Sequence, residues 1–280
     1  MAHTSVATAP FAEGDFRVSS VIRRSAAMLS GHFLTFFIVT VTAHSPIILL
    51  ARTLTTEPTD LDQVDLAVRL MAWGLLGLVQ VIVLGVLGEA VIVHAALQDM
   101  QRRPVRLAES LNVALRRFLP IVGVAFVVVL LIRLVGGVAF VMVLSVAFVM
   151  GLSIQPEYLQ NVGLILLIIP GLILYAMWFV AVPACVVERL GPWTSLRRSR
   201  NLTKGHRWKL YGLALLLIVP SLGINFGLAT AAGPIVEPII DWFSSGICAA
   251  FAAVVGAVTY HDLRVVKEGI DIDQITDVFD

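Results

Sequence analysis

Apolar residues along this chain cluster into long runs separated by short polar stretches. Six runs reach the length needed to span hydrocarbon, about 20 residues at helical rise. They are roughly Phe33–Leu50, Met71–Leu97, Phe118–Met150, Val162–Val187, Leu210–Ala232 and Ile235–Tyr260. Each is read as a transmembrane helix. Three of the polar stretches repeat their apolar residues at helical spacing. In one, Leu107, Ala108, Leu111, Ala114, Leu115 and Phe118 fall on one face, and Arg106, Glu109, Arg116 and Arg117 on the other. In another, Ser195, Leu196, Ser199, Leu202 and Thr203 oppose Arg197, Arg198, Asn201 and Lys204. Nearest the N-terminus, Val18, Val21, Ile22, Ser25 and Leu29 form the stripe, and Arg23 and Arg24 point away. This pattern predicts short amphipathic helices lying in the membrane interface, basic face toward water and anionic headgroups. Gly31 and Gly205 close two of them, as glycine does where a helix ends and the chain turns.

The same spelling recurs. Shifting the chain so that Arg23-Arg24-Ser25 falls on Arg197-Arg198-Ser199 also places Gly31-His32 on Gly205-His206 and Pro46 on Pro220. Midway between, Ala108–Phe118 aligns loosely with Ile22–His32. The reading is three repeats of one amphipathic helix and two spans, approximately residues 16–100, 104–188 and 192–263. Because the middle copy is degenerate, a twofold repeat of a larger unit stays open. Residues 1–15 form an N-terminal tail and 264–280 a C-terminal one.

The third run is long for one crossing and contains Arg133 and Gly136-Gly137. Charge decides how it is counted, since Lys and Arg collect on the cytoplasmic side. With six spans, one side holds Arg17, Arg23 and Arg24, then Arg102, Arg103, Arg106, Arg116 and Arg117. The same side holds Arg189, Arg197, Arg198, Arg200, Lys204, Arg207 and Lys209, with Arg264 and Lys267 after the last span. The other side carries Glu57, Asp60, Asp62, Asp65, Glu157, Glu237 and Asp241. Splitting the third run would move the largest basic cluster outside. One long helix is therefore expected, with both termini cytoplasmic and Arg133 snorkelling toward the outer surface.

Composition agrees. Hydrophobic residues make up 58% of the 280 and charged residues 14%, against about 25% charged in soluble domains. The net charge of +1 points to no nucleic-acid partner. Cys185 and Cys248 lie in apolar runs and read as small core residues. The first fifteen residues lack the order of a cleavable signal peptide, so the first span is expected to direct its own insertion.

Candidate chemistry is sparse. Near the end of each second span an acid precedes a base: Asp99 before Arg102-Arg103, Glu188 before Arg189, Asp262 before Arg264. Carboxylates at helix C-termini oppose the macrodipole and need a nearby cation. The basic helices are the obvious supply, and the three acids are read as structural tethers between units. Arg197, Arg198, Lys204, Arg207 and Lys209 are candidate contacts for anionic phospholipid, the plainer alternative being that they only set topology. Glu89, with Arg133, is the candidate for an intramembrane polar path. Glu89 and His94, five apart, do not share a helix face and form no metal or acid–base pair. His32 and His206 are expected to be exposed or lipid-facing. Gly223 and Gly227, and the stripes through Gly246, Ala250 and Ala253 and through Ala249, Ala252 and Gly256, predict close helix contacts. No catalytic or cofactor motif is present, and no metal or cofactor is expected.

The segment VVERLGPWTSLRRSRNLTKGHRWKLYGLALLLIV at residues 186–219, with YHDLRVVKEGID at 260–271, resembles bacterial inner-membrane proteins. It looks like the membrane domain that precedes the catalytic barrel of some glycerophosphodiester phosphodiesterases, and like stand-alone multi-span proteins of that kind. The family's His-Arg-Gly signature has only His206-Arg207-Trp208 as a counterpart, and there is no barrel, so the hydrolase activity does not carry over. The resemblance implies a multi-pass accessory module of the bacterial inner membrane. The expectation is an all-α polytopic bundle, non-enzymatic and lipid-associated, serving as accessory or scaffold with an unidentified protein partner. A small-solute or lipid transporter is the alternative, and an intramembrane enzyme the second alternative.

Overall fold

The computed structural model describes residues 16–55, 79–149, 171–231 and 237–269, with isolated positions between 68 and 77. Among the described residues the chain is an all-α bundle with no strand. Its elements are α1 (Val18–Gly31), α2 (Phe33–Thr55), α3 (Val86–Met100, entered through the π-helical turn Gln80–Gly85) and α4 (Leu107–Arg116). They continue with α5 (Phe118–Val149), α6 (Gly171–Val187), α7 (Pro192–Thr203), α8 (Arg207–Ala231) and α9 (Glu237–Glu268).

Four stretches are long and apolar enough to cross a membrane: Ile82–Met100, Phe118–Val143, Arg207–Ile224 and Trp242–Glu268. The bent pair of α1 and the start of α2 passes the same test only when the two are taken together as one span, and Gly171–Val187 is a shorter apolar helix. The six expected runs map onto α2, α3, α5, α6, α8 and α9. Parts of the second and fourth runs, most of the acidic positions expected on the far side, the N-terminal tail and residues 270–280 lie outside the described residues, while the start of the expected C-terminal tail, 264–268, belongs to α9. The third run is one helix of 32 residues, unbroken at Gly136-Gly137. On α5 and α8, large apolar side chains such as Leu119, Phe126, Leu134, Met142 and Leu222 are exposed. A soluble fold would not leave so broad an apolar surface open, whereas lipid covers it at no cost. These apolar helices fit an integral membrane protein.

Local sequence accounts for the breaks. α1 meets α2 at His32 with a bend of 89°, so α1 lies across the axis of the helix that follows. His32 makes this corner with φ −124°, and Gly31 needs no glycine-only conformation. Gly205 differs: its φ of +94° is one that only glycine adopts without strain. α6 is interrupted at 179–180. Pro183 lacks an N–H and its ring opposes the carbonyl four residues earlier, at Phe179. α3 ends in a Schellman turn, with Arg103 N–H donating to the Gln98 carbonyl and Arg102 N–H to that of Asp99, both at 2.9 Å.

Three helices form the centre: α3 packs on α9 and on the Ala181–Val187 segment of α6, and that segment also touches α9. α2 packs outside against α9 and α3, α5 against α3 and α6, and α8 against α9. Each short helix grips one central helix: α1 on α9, α4 on α3, α7 on α6. A fully buried serine sits at each crossing, Ser25, Ser110 and Ser199. Small side chains let the backbones approach.

The direction of the amphipathic stripes departs from expectation. In α1 the stripe residues Val21 and Ser25 are buried, and Val18, Ile22 and Leu29 pack on the core. In α7 the whole less polar face, from Ser195 to Thr203, is buried against the bundle. Only α4 keeps an outward apolar stripe: Leu111 and Leu115 are about half exposed, while Ser110 and Ala114 turn inward. An interfacial helix with a neighbour has two apolar surroundings, lipid and protein, and its smallest residues choose the protein because they permit contact.

Candidate functional site

The basic stretches converge on one end of the bundle, tied there by specific contacts. Arg24 of α1 donates to Asp262 of α9 at 2.7 Å, and the His261 ring approaches the same carboxylate at 3.3 Å. Arg198 of α7 contacts both oxygens of Glu188 at the end of α6, at 2.8 and 2.9 Å, and reaches Glu268 of α9 at 2.5 Å. Tyr260 donates its hydroxyl to Glu188 at 2.7 Å, and Arg264 donates to Glu268 at 3.2 Å. With Glu268 first and Glu188 after it as partners, the Arg198 guanidinium is held above its ordinary range. Asp99 takes a weaker partner, the His32 ring at 3.1 Å. Backbone acceptors complete the belt: Arg117 donates to the Arg189 carbonyl, Lys209 to that of Phe16 and Lys267 to that of Asn201.

Each of the three acids therefore faces a basic group, but their positions differ from the simple expectation. Asp99 lies in the last turn of α3 and Glu188 caps α6, whereas α9 continues past Asp262 to Glu268. Glu268 and the Tyr260 hydroxyl were absent from the sequence reading. The Arg264–Glu268 spacing of four residues was the available signal.

The candidate lipid contacts divide. Arg197 and Lys204 are exposed, and so is Arg200 beside them. Arg198 is engaged by two carboxylates and Lys209 by the Phe16 carbonyl, while Arg207 is half-buried. A helix that uses one arginine to hold its neighbours cannot also offer it to a headgroup. The histidines likewise turn inward rather than outward: His32 meets Asp99 and the Phe36 ring, and His206 sits edge-on to Phe16 with ring centres 5.9 Å apart.

Inside the bundle lies a cavity of about 390 Å³, bordered by α2, α3, α5, α6 and α9. Its walls are mostly aliphatic and small, with Tyr175, Trp178 and Phe179 forming an aromatic side. Glu89 is its carboxyl group, and Thr40 the other polar residue of the helical walls besides the aromatic side. The Thr40 hydroxyl is spent on the Phe36 and Phe37 carbonyls of its own helix. The π turn before α3 is fixed by the buried Gln80 side chain, whose amide donates to the Ala43 carbonyl. Gly88 lets α3 approach α2 here, since a Cβ would lie 3.2 Å from that of Ala43. His94, one face away from Glu89, bonds Ser110 at 3.0 Å.

Arg133 does not join Glu89. It is exposed on α5 and is no part of the cavity wall, so the two do not make one polar path. The small-residue stripes also behave differently from expectation. Gly246 does make a close contact, a Cβ there meeting Val41 at 3.1 Å, but Ala249, Ala252 and Gly256 line the cavity. Around Gly223 and Gly227 an added Cβ would meet nothing within 4 Å. Among the described residues no cluster of three or more His, Cys, Asp and Glu side chains could hold a metal.

No family model, characterised protein or solved structure matches the chain.

Proposed function

We propose that this chain is a non-enzymatic, lipid-associated accessory or scaffold protein of the bacterial inner membrane, with its basic end in the cytoplasm and docked on anionic headgroups. One observation carries the reading. Arg197, Arg200 and Lys204 project from α7 away from the bundle, and Trp193 and Trp208, 71% and 86% exposed, flank them. Exposed tryptophan beside unpaired basic side chains is the composition of an interfacial anchor: the indoles enter the headgroup layer and the cations meet phosphate. Polybasic segments gain about 1 kcal/mol per Lys or Arg at an anionic surface. The threefold grip of a short helix on a central one supports the repeat as the origin of the fold.

The test replaces Arg197, Arg200 and Lys204 by Gln and leaves the engaged Arg198 intact. The expected result is a folded, correctly inserted protein that no longer co-purifies with anionic phospholipid, an effect that added salt imitates. A folded variant that keeps its anionic lipid overturns headgroup docking, and one that inserts in reverse makes these residues topology signals.

A further inference from the structure

The cavity and its carboxyl stand apart from the belt of ion pairs. Glu89 lies ten residues before Asp99 on the same helix, about 15 Å along its axis. Among the described residues none gives Glu89 a hydrogen bond or an ion pair, and no Lys, Arg or His lines the space it faces. A carboxylate in a low-dielectric interior is costly unless compensated, and what the described residues do not supply to Glu89 a proton or a group that enters the cavity can.

The shape of the space points to the second. A volume near 390 Å³ is of the size that holds a small organic molecule, and its apolar walls give a chain of waters little to bond. Small residues from two helices keep it open: Gly85, Ala249, Ala252 and Gly256 line it and contribute almost no side chain. Tyr175 and Trp178 line the same space, and Tyr175 shares it with Glu89. Aromatic faces attract cations through the ring quadrupole, most strongly where water is excluded. The adjoining π turn, Gln80–Gly85, is a rare distortion that recurs at functional sites.

We propose that this cavity binds a small lipophilic organic cation, an amine or quaternary ammonium, with Glu89 as its counter-charge and Tyr175 and Trp178 as its aromatic wall. The walls accept the hydrocarbon part, the carboxylate selects the charge, and an anion is rejected. The site does not depend on headgroup docking at the basic end of the bundle.

The experiment uses the full chain in lipid nanodiscs and measures equilibrium dialysis of benzyltrimethylammonium against its neutral isostere, neopentylbenzene. Saturable binding of the cation, at least tenfold tighter than the isostere, is expected. Glu89→Gln should abolish that preference without lowering the melting temperature. Ala252→Leu, which fills the cavity and keeps the carboxyl, should abolish binding of both probes, and it decides the matter if the glutamine variant does not fold. Equal binding of the two probes, or a cation preference that survives Glu89→Gln, overturns the proposal. So does failure of the cation to bind, or binding unaltered in Ala252→Leu.

Discussion

Two junctions of the bundle share a packing plan and differ in chemistry. α7 lies on the end of α6, and α4 lies on α3, each with a buried serine at the crossing. At the α7 junction the serine is preceded by Arg198, which joins Glu188 and, through Glu268, the central helix α9. At the α4 junction Ser110 itself makes the polar contact, with His94, and the Gln98 side chain accepts the Arg106 N–H at 3.1 Å. The α7 side is thus a charged clamp across three helices, and the α4 side a neutral one across two. Packing small residues at the crossing fixes where the helices meet. The charges then decide how much is lost when one partner is removed, because an orphaned carboxylate away from bulk water costs more than the pair gained.

The comparison is broken most severely at Arg198. Arg198→Gln removes the cation that Glu188 and Glu268 share, leaving Glu188 the Tyr260 hydroxyl and Glu268 the Arg264 guanidinium. With side chains about a quarter exposed or less, the loss should be about 2 kcal/mol, and the melting temperature in detergent should fall by about 5 °C. An unchanged melting temperature would mean that water already compensates these carboxylates.

The α1 junction should fall between the two. Arg24 is 37% exposed, so Arg24→Gln and Asp262→Asn should each cost about 1 kcal/mol. The double variant should cost less than the sum of the singles, and strict additivity in that cycle would show that the pair is not coupled.

At the neutral junction, Ser110→Ala removes one hydrogen bond to a partly exposed histidine and should cost less than about 1 kcal/mol. A loss as large as that of Arg198→Gln would erase the distinction between the two clamps.

The smallest effect has the opposite sign. The chain leaves α3 and α6 through left-handed residues, Arg102 at φ 55° and Arg189 at φ 54°, and leaves α9 through Gly269 at φ 63°. Glycine removes the steric cost of that conformation, so Arg102→Gly should raise stability by up to about 1 kcal/mol. A melting temperature that falls instead would assign the Arg102 side chain a contact of its own.

Periodicity and charge order are properties of neighbouring residues, and they were legible. They gave the all-α class, the long apolar helices, the short helices between them, the unbroken α5 and the gathering of basic residues at one end. For Asp262, which lies well before the end of α9, the helix dipole gave no need of a nearby cation, while for Asp99 and Glu188 that need followed from it. The identity of each partner did not, because it depends on which helices lie side by side. Spacing along one helix says nothing of Arg24 meeting Asp262, whose positions are joined only by tertiary packing. The same holds for direction. The sequence shows that α7 has a less polar face, but only its place on α6 turns that face inward and commits Arg198 to two carboxylates. The cavity was the least legible feature. A stripe of alanine and glycine encodes close contact when a helix lies against it and an open space when none does. Ala249, Ala252 and Gly256 border the cavity, while a Cβ at Gly246 on the same helix would press on Val41 of α2.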